Sequence, residues 1–433
     1  MMAMGIFLFV LLLALLSLFF FKQLWSQRHL PPGPLALPLI GTLWAYGFWL
    51  REDYFRKHVK EYGNIYSMWS GHYLIVVLSG FKTVKEGMMS FLEEFSYRPD
   101  DAFMTAVGNR RGIIFSNGHI WKQQRHFGVT SLRKLGLGKK SIEHQIEDVA
   151  QTLVEMFRQT EGQPFDPSCA VANAVSNVIC ALSFGHQFAP EDENFQKLIK
   201  SLDVIVKFSG CFFHVSRKDP NSTYNEKNLV QCIFDFFGAG IDTTFGTLMW
   251  ALLLLTNRPN TQEKIQKEIE DVFGFSGLIS YQDRKKLPYT NAVIHEMQRL
   301  KSVLLVGLPR QSTKDVKLRG YHIPKGTIII ADLRSVLLDP EQWETPEEFN
   351  PNHFLDKDGK FLDREEFLSF GIGLRSCVGE QLARIEIFTF LTSLLRAFSF
   401  RLPEGVKELN EEPVAKVMIH PHPYKLCAIP LQS

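Results

Sequence analysis

The sequence has few cysteines and no excess of charge of either sign. Its six cysteines are scattered over 433 residues without a C-x-x-C pair. A disulfide framework is therefore not expected, and the pattern favours a protein of a reducing compartment. Lys and Arg number 48 against 46 Asp and Glu, a net charge of +2, which gives no indication of nucleic-acid binding. Phenylalanine, in contrast, is abundant at 36 residues. This abundance favours a large apolar interior or an apolar cavity.

Charged side chains are also missing from the first 21 residues, MMAMGIFLFVLLLALLSLFFF. A helix of this length spans roughly the 30 Å hydrocarbon core of a bilayer. Lys22 and Arg28 follow the run, and no small-x-small cleavage pattern closes it. The pattern predicts an uncleaved transmembrane signal-anchor over residues 1–24, with a cleaved signal peptide as the alternative. The positive flank places the rest of the chain on the cytoplasmic side, where the N-S-T sequon at Asn221 would stay unmodified.

One mainly α-helical domain with small β-sheets is expected after the anchor. Residues 25–42 include LPPGPLALPLIGT, which predicts a stiff proline-rich hinge. Residues 43–433 show neither an internal repeat nor a change of composition. Within them, IYSMWSGHYLIVVLSG predicts two strands that turn at Ser70-Gly71.

The segment NTQEKIQKEIEDVFG illustrates the helical patterns. Ile265, Ile269 and Val272 share one face, Gly274 ends the run, and Asn260 is the predicted cap at its start. An amphipathic helix is therefore expected here.

The stretch FGIGLRSCVGE, residues 370–380, places one cysteine between glycines. Three interpretations are open: a buried apolar cysteine, a phosphate-binding glycine loop, and a metal-binding thiolate. Ser376 stands where a dinucleotide-binding loop needs its third glycine, which weakens the second interpretation. The helical pattern downstream places Cys377 at a helix N-terminus, where unpaired N–H groups lower the pKa of a thiol. The residue types alone still favour a structural cysteine.

Two earlier motifs have equally ordinary interpretations when taken alone. In FGAGIDTTFG, Gly240 lies inside an apolar helical pattern, which costs about 1 kcal/mol relative to Ala. Thr243 could simply bond a carbonyl one turn back. In EMQR, Glu296 and Arg299 lie on one helix face, a spacing that usually indicates a surface ion pair.

The spacing Phe370-x-x-Gly373-x-Arg375-x-Cys377-x-Gly379 resembles the haem-binding signature of the cytochrome P450 superfamily. The resemblance implies haem b (iron protoporphyrin IX) as the cofactor and Cys377 as the thiolate ligand of its iron, a ligation that favours O–O cleavage. It implies that Gly373 and Gly379 let the backbone approach the porphyrin and direct N–H groups at the sulfur. Arg375 would pair with a haem propionate.

The remaining motifs occur in the order typical of that family. Ala239 to Thr244 resembles the oxygen-binding groove of its long central helix, where Asp242 and Thr243 would relay protons as the catalytic pair. Isomerases of the same fold do not need this relay, so the acid–Thr pair favours a monooxygenase.

The resemblance also implies propionate contacts and a buried triad. The triad would consist of Glu296, Arg299 and His353, with a structural role. The residues themselves, not the resemblance, suggest a metal-binding pair in HPH at 420–422, but the prolines around it predict a loop instead. The residues expected to contact the propionates besides Arg375 are Trp121, Arg125, Arg98 and Arg310.

Segments such as YGNIYSM, GKKSIEHQI and GEQLAR most resemble family-2 microsomal cytochromes P450, particularly the J subfamily. That resemblance implies insertion of one oxygen of O2 into an apolar substrate, by epoxidation or hydroxylation of polyunsaturated fatty acids or by xenobiotic oxidation. Electrons would come from NADPH through NADPH-cytochrome P450 reductase, with cytochrome b5 as a further donor. The chain would be held in membrane lipid of the endoplasmic reticulum with its catalytic domain facing the cytoplasm.

A basic cluster admits two interpretations. Ordinarily such a run is a solvated face, but a basic surface near the haem would also attract an acidic electron donor. The cluster consists of Lys122, Arg133, Lys134, Lys139 and Lys140.

The sequence departs from the family near residues 210–211. Roughly 50–60 residues, about four average helices, are missing where family members build the roof of the substrate cavity. Their loss is expected to expose Phe234 and Phe237 of the central helix to water. The alternative function is therefore a catalytically impaired, membrane-bound haem-binding splice isoform. In the active monooxygenase, the remaining cavity lining would include Phe103, Phe115, Phe234, Phe237, Ala239, Val303, Leu304 and Met418.

Overall fold

The computed structural model describes most of the chain after the predicted anchor. The described residues are 11, 14, 27–37, 39–46, 52–134, 140–184, 187–188, 192, 226–274, 279–414 and 418–431. The predicted anchor over 1–24, the shortened region near 210–211 and the sequon at Asn221 fall outside these residues, apart from Leu11 and Ala14.

Helices make up the larger part of the described residues, as expected. The α-helices are α1 (Leu43–Tyr46), α2 (Glu52–Tyr62), α3 (Phe81–Ser90), α4 (Ala102–Gly108), α5 (Gly118–Lys134), α6 (Lys140–Arg158), α7 (Ser168–Phe184), α8 (Glu226–Asn257), α9 (Pro259–Phe273), α10 (Pro288–Leu300), α11 (Leu333–Leu337) and α12 (Glu380–Ala397). Short 3-10 helices cover Gln27–His29, Tyr281–Lys286 and Pro351–Phe354.

The strands are short and form small sheets. They are β1 (Ile65–Ser70), β2 (Tyr73–Leu78), β3 (Arg310–Gln311), β4 (Val316–Leu318), β5 (Tyr321–Ile323), β6 (Ile328–Ala331), β7 (Phe398–Arg401), β8 (Pro413–Val414), β9 (His420–Pro421) and β10 (Cys427–Pro430). The predicted turn at Ser70-Gly71 is confirmed, because β1 and β2 pair antiparallel from Ile65↔Leu78 to Ser70↔Tyr73.

The described part of the chain divides into two compact units. Unit 1 comprises the described residues within Met1–Pro99, Leu305–Val336 and Gly371–Ser376. Its main sheet has the order β1-β2-β6-β3, with β2 and β6 parallel. Aromatic residues of α2 pack against apolar residues of this sheet, among them Tyr54, Phe55, Tyr66 and Val77.

Unit 2 comprises Asp100–Leu304, Leu337–Phe370 and Cys377–Ser433 in their described parts. Its long helix α8 contacts α7, α10 and α12 as well as β9. Residues Lys227–Asn257 are apolar and long enough to cross a membrane, but 67% of their most apolar window is buried inside the protein. The helix is therefore the core element of this unit.

Helix α9 forms where the spacing predicted it, but its ends differ from the expectation. The predicted cap at Asn260 is wrong, because the helix begins at Pro259 with Arg258 as its N-cap. A proline at the first position has its φ already set and lacks an N–H that would need a partner. Ile265 and Ile269 are buried, whereas Val272 is 41% exposed, so the apolar face is shorter than the sequence suggested.

A buried charged triad ties α10 to the chain segment that follows α11. Arg299 donates from Nε and Nη2 to both oxygens of Glu296 at 2.7 and 2.8 Å. The Nδ1 of His353 lies 3.2 Å from each of those oxygens, and all three side chains are fully buried. Arg299 also donates to carbonyl oxygens of Leu337, Pro346 and Glu348. The expected triad is thus present, and it fixes the backbone of 337–353.

Replacing Arg299 by Met is expected to lower the free energy of unfolding by about 3–5 kcal/mol, because it leaves the buried Glu296 carboxylate uncompensated. Chemical denaturation measures the loss. Arg158→Met is the matched control: it breaks a Glu–Arg pair of the same spacing, with Glu155, but both side chains are more than half exposed. We expect that variant to lose less than about 1 kcal/mol. Equal losses in the two variants would contradict the account.

Candidate active site

Cys377 lies at the N-terminus of α12, as the sequence predicted. The helix begins at Glu380 with Gly379 as its N-cap. The backbone N–H groups of Gly379 and Glu380 donate hydrogen bonds to the sulfur, and the N–H of Cys377 donates to the carbonyl of Phe370 at 2.9 Å. The bond between Phe370 and Cys377 closes the loop. The N–H groups at the helix start, which have no partner within the helix, are thereby directed at one sulfur atom.

The surroundings of Cys377 both oppose and support a thiolate. The side chain is exposed, yet protein atoms surround it closely enough that desolvation raises the pKa of the thiol. The N–H of Gly379, the Arg125 guanidinium and the N–H of Glu380 lower that pKa, while the Glu380 carboxylate raises it. A bound cation on the sulfur would add the charge that favours the thiolate most strongly.

Helix α5 supplies the groups that the sequence predicted at Trp121 and Arg125. The two side chains are one turn apart on the same helix face; Trp121 is buried and Arg125 is half-buried. Desolvation lowers the pKa of Arg125, and the Cys377 thiolate opposes that shift. Lys122, Arg133 and Lys134 of the basic cluster are exposed on this helix; Lys139 and the side chain of Lys140 lie outside the described residues.

Within unit 1, the predicted arginines gather around the loop of Gly373. Arg98 donates to the carbonyls of Leu308 and Pro309, both at 2.9 Å. Arg310 donates to the carbonyl of Ile372 at 2.8 Å. A third buried guanidinium, that of Arg375, donates to the carbonyl of Ser96 at 2.7 Å. Such a concentration of buried guanidinium groups favours a ligand with carboxylates.

Gly373 is the position in this loop where glycine is required. Its φ is +80°, and an added Cβ would lie 3.1 Å from the carbonyl oxygen of Met88 and 3.2 Å from Leu92. Gly379 has φ −89°, so its conformation does not demand glycine, and an added Cβ would meet only the Cys377 sulfur at 3.9 Å.

The middle of α8 carries the predicted acid–Thr pair. The Thr243 hydroxyl donates to the carbonyl of Ala239 at 2.7 Å. This is the hydrogen bond to a carbonyl one turn back that a helical threonine commonly makes. Ala239 is exposed although it lies in the centre of a mostly buried helix. Packing explains the glycine at position 240, because an added Cβ would lie only 2.8 Å from Ile179 of α7.

Sequence reasoning was wrong about His420. Together with Pro421 it forms β9, which pairs with β8, rather than a loop. Its Nε2 lies 3.2 Å from Oδ2 of Asp242. Asp242 thus has a partner 178 residues away, and no short motif could have indicated it.

Sequence reasoning also missed Glu386. This carboxyl is fully buried in α12 and bonds the side chain of Thr244, next to the acid–Thr pair. Desolvation raises its pKa to about 8, and the Thr244 hydrogen bond opposes the shift. Its position between Ile385 and Ile387, in an apolar part of the predicted helix, would have suggested burial, but not the partner.

Several residues predicted to line a cavity do lie together in unit 2. Leu304 and Met418 form an antiparallel bridge, and Val303 accepts a backbone hydrogen bond from Ile419 at 2.8 Å. The expected exposure of Phe237 is wrong: it is only 3% exposed, and Phe234 is half-buried. Among the described large apolar side chains of α8, the exposed ones are instead Leu229 and Val230, at the start of the helix. The side chain of Phe103 is not described.

A cysteine sulfur that accepts backbone N–H groups at a helix start, in a mainly helical fold with small sheets, is typical of haem-thiolate proteins. The comparisons with known proteins agree. A sequence model of the family described as Cytochrome P450 matches residues 31–217 and 206–428. The chain therefore belongs to the cytochrome P450 family, a family of haem-thiolate monooxygenases whose cofactor is haem b.

Curated relatives narrow the assignment to family 2 of J-like type. Cytochrome P450 2J2 of Homo sapiens is 37% identical over 462 aligned positions, covering 93% of this chain and 92% of the relative. Cytochrome P450 2J5 of Mus musculus is 36% identical over 489 positions, with 97% and 96% covered. Cytochrome P450 2D14 of Bos taurus is 34% identical over 484 positions, with 97% of each chain covered.

The alignment to Cytochrome P450 2J2 also measures a difference in length. Since 93% of 433 residues is only about 403, about 59 of the 462 aligned positions have no residue of this chain opposite them.

The described residues fit a haem on chemical grounds. An accessible sulfur receives two backbone N–H groups and lies near a guanidinium, which suits a thiolate bound to iron. Buried arginines within unit 1 suit propionate groups. Ala239 is small and exposed in the middle of α8.

Arg125→Met is expected to raise the pKa of the Cys377 thiol further, because it removes a cation that favours the thiolate. Alkylation of Cys377 by iodoacetamide in the haem-free chain at about pH 8 should therefore slow by several-fold, since only the thiolate reacts. Peptide mass spectrometry gives the rate at this cysteine. Lys122→Met, on the exposed side of the same helix, is the control and should leave the rate unchanged. An Arg125→Met rate equal to or above that of the wild type would refute the electrostatic role.

Glu386→Gln is expected to change how stability depends on pH. The pKa of Glu386 is raised from 4.5 to about 8 in the folded chain, so between these pH values the unfolded chain loses the proton first. The wild type therefore loses stability as pH rises through this window, by up to about 1.4 kcal/mol per pH unit. Glu386→Gln, and not the exposed control Glu408→Gln, should lack this contribution in denaturation curves, most clearly between pH 6 and 8, above the raised pKa of the buried Asp332. A parallel slope in wild type and Glu386→Gln would contradict the burial argument.

Proposed function

We propose that the chain inserts one oxygen atom of O2 into an apolar substrate, such as a polyunsaturated fatty acid or a xenobiotic. The observation that carries the proposal is the combination, within unit 2, of the Cys377 sulfur under the N–H groups of α12 and the Asp242–Thr243 pair on α8. In the overall reaction the second oxygen atom leaves as water. Two electrons come from NADPH, and two protons are taken up.

Each site residue then has a defined task. When bound, haem supplies the iron at which O2 is activated. Cys377 would hold that iron, and Phe370 would keep its loop closed through the 2.9 Å bond between their backbones. Gly373 and Gly379 would shape the two ends of the loop.

The cationic and aromatic residues would orient the cofactor. The guanidinium groups would bind its propionates, and Trp121 would add its indole N–H to the same task. The arginines concerned are Arg98, Arg125, Arg310 and Arg375.

The α8 residues would serve the transfer of protons and the binding of oxygen. Ala239 would leave room for O2 beside the helix. Thr243 would exchange its bond to the Ala239 carbonyl, now 2.7 Å long, for a bond to an incoming proton acceptor. Asp242 would deliver protons from solvent, because a side chain that is 24% exposed can exchange them.

The electron donor would be a separate protein. NADPH-cytochrome P450 reductase, with cytochrome b5 as a second donor, would dock on the exposed basic face of α5, formed by Lys122, Arg133 and Lys134. Residues 1–24 would anchor the chain in the endoplasmic reticulum membrane, residues 25–42 would act as the hinge, and residues 43–433 would face the cytoplasm as the haem domain.

A second candidate function is a catalytically impaired haem-binding isoform. The aligned positions without a counterpart, about 59, support it. The family match also breaks into two parts that meet between residues 206 and 217, where the roof helices of the substrate cavity are expected to be missing. Burial of Phe237 favours the active form, because the core of α8 stays covered.

Turnover by the full chain with reductase, NADPH and a C20 polyunsaturated fatty acid tests the proposal. Oxygenated products are expected, and Thr243→Ala should lower their rate by about 10²-fold, the lower end for a lost proton-transfer group. Thr247→Ala is the matched control, since its hydroxyl makes the same back-bond, to Thr243 at 2.9 Å. We expect it to be nearly as active as the wild type.

Mass spectrometry of the products, with 18O2 as the gas, measures the outcome. Haem incorporation without any oxygenated product from the wild type would favour the impaired isoform. Equal losses of product-formation rate in Thr243→Ala and Thr247→Ala would contradict a proton-delivery role for Thr243.

A further inference from the structure

The segment that carries His420 is fastened to α8 by hydrogen bonds on both sides of the histidine. The Trp250 indole N–H donates to the carbonyl of Ile419 at 3.0 Å. The Tyr424 hydroxyl donates to the carbonyl of Met249 at 2.7 Å. Trp250 is 1% and Tyr424 8% exposed, so the backbone around His420 is fixed against the helix.

The imidazole of His420 occupies a slot that a glycine leaves open. An added Cβ at Gly246 would lie 3.1 Å from Cε1 and 3.2 Å from Nδ1 of His420, and 3.1 Å from Cγ1 of Val303. The ring of Phe245 lies 5.9 Å from the imidazole, centroid to centroid. Even a methyl group at 246 would therefore require the imidazole or Val303 to shift by a few tenths of an ångström.

This placement brings Nε2 of His420 to 3.2 Å from Oδ2 of Asp242. The two side chains are 18% and 24% exposed, so the contact is partly screened from water but still reached by it. Asp242 directly precedes Thr243 on the turn of α8 that begins at the exposed Ala239. Without a fixed partner, a carboxylate with that exposure would sample several rotamers.

We propose that His420 is a positioning residue that holds the Asp242 carboxylate in the orientation required for proton delivery next to Thr243. The inference rests on the proposed monooxygenase function and extends it to a residue outside the sequence motifs. An Nε2–H donor fixes one carboxylate oxygen and leaves the other free to exchange a proton with water. A purely structural role would instead require only that the ring fill the slot over Gly246.

The test compares His420→Leu, which keeps bulk and removes the donor, with His420→Gln, whose amide N–H can replace it. The full chain is used with reductase, NADPH and a C20 polyunsaturated fatty acid. His420→Leu should lower kcat by about 10- to 100-fold with KM little changed. The solvent deuterium isotope effect on kcat should rise, because proton delivery becomes slower. His420→Gln should recover most of the rate, and His422→Ala, exposed two residues further on, should match the wild type.

A second readout does not depend on turnover. The losses of Tm in His420→Leu and Asp242→Asn should fail to add, with the double variant within about 1 °C of the less stable single variant. Should His420→Leu not fold, His420→Phe replaces it, because its ring fills the same slot without an N–H donor.

If the wild type is active and kcat and the isotope effect are unchanged in His420→Leu or His420→Phe, the inference is overturned and the proposed function stands. Additive losses of Tm would overturn it as well. An equal loss of kcat in His420→Leu and His420→Gln would assign His420 a packing role only. An inactive wild type would overturn both the inference and the proposed function.

Discussion

In the proposed function the sulfur of Cys377 carries negative charge in a crowded position, and the groups around it bear directly on that charge. Desolvation works against the thiolate, so favourable charge has to come from fixed groups. The N-terminus of α12 provides N–H groups that need acceptors in any case, and Arg125 on α5 adds a full charge. These groups are held by backbone geometry, and they therefore favour the thiolate without reorganisation when a cation binds to it.

The segment 337–370 of unit 2 is held in turn by interactions that have no chemical task of their own. Glu296, Arg299 and His353 are fully buried and donate or accept hydrogen bonds across α10 and the segment 337–353. Arg384 of α12 lies over the rings of Phe367 and Phe370 at 5.6 and 5.1 Å. Burying charged side chains of this kind costs free energy. In return, the Glu296, Arg299 and His353 side chains all have hydrogen-bond partners only when the segment 337–353 is packed as observed.

Local sequence spacing predicted the parts of the site that a single helix or loop determines. Cys377 before α12 and the i, i+3 pair of Glu296 and Arg299 follow from helical periodicity, while the family signature pointed to His353. Contacts between distant segments could not be predicted in this way. His420 reaches Asp242 across 178 residues, and Gly240 faces Ile179, because tertiary packing decides both. The prediction of Asn260 as the N-cap of α9 was wrong, because the helix already begins at the adjacent Pro259.

The absorption spectrum of the reduced full chain with carbon monoxide tests the central claim most directly, namely that Cys377 binds haem iron as a thiolate in this shortened sequence. A strongly red-shifted Soret band is expected from the wild type and from Cys169→Ser, an exposed free cysteine outside the site. The band should be lost in Cys377→Ser. An unshifted band in the wild type, or a red-shifted band that persists in Cys377→Ser, would contradict the account.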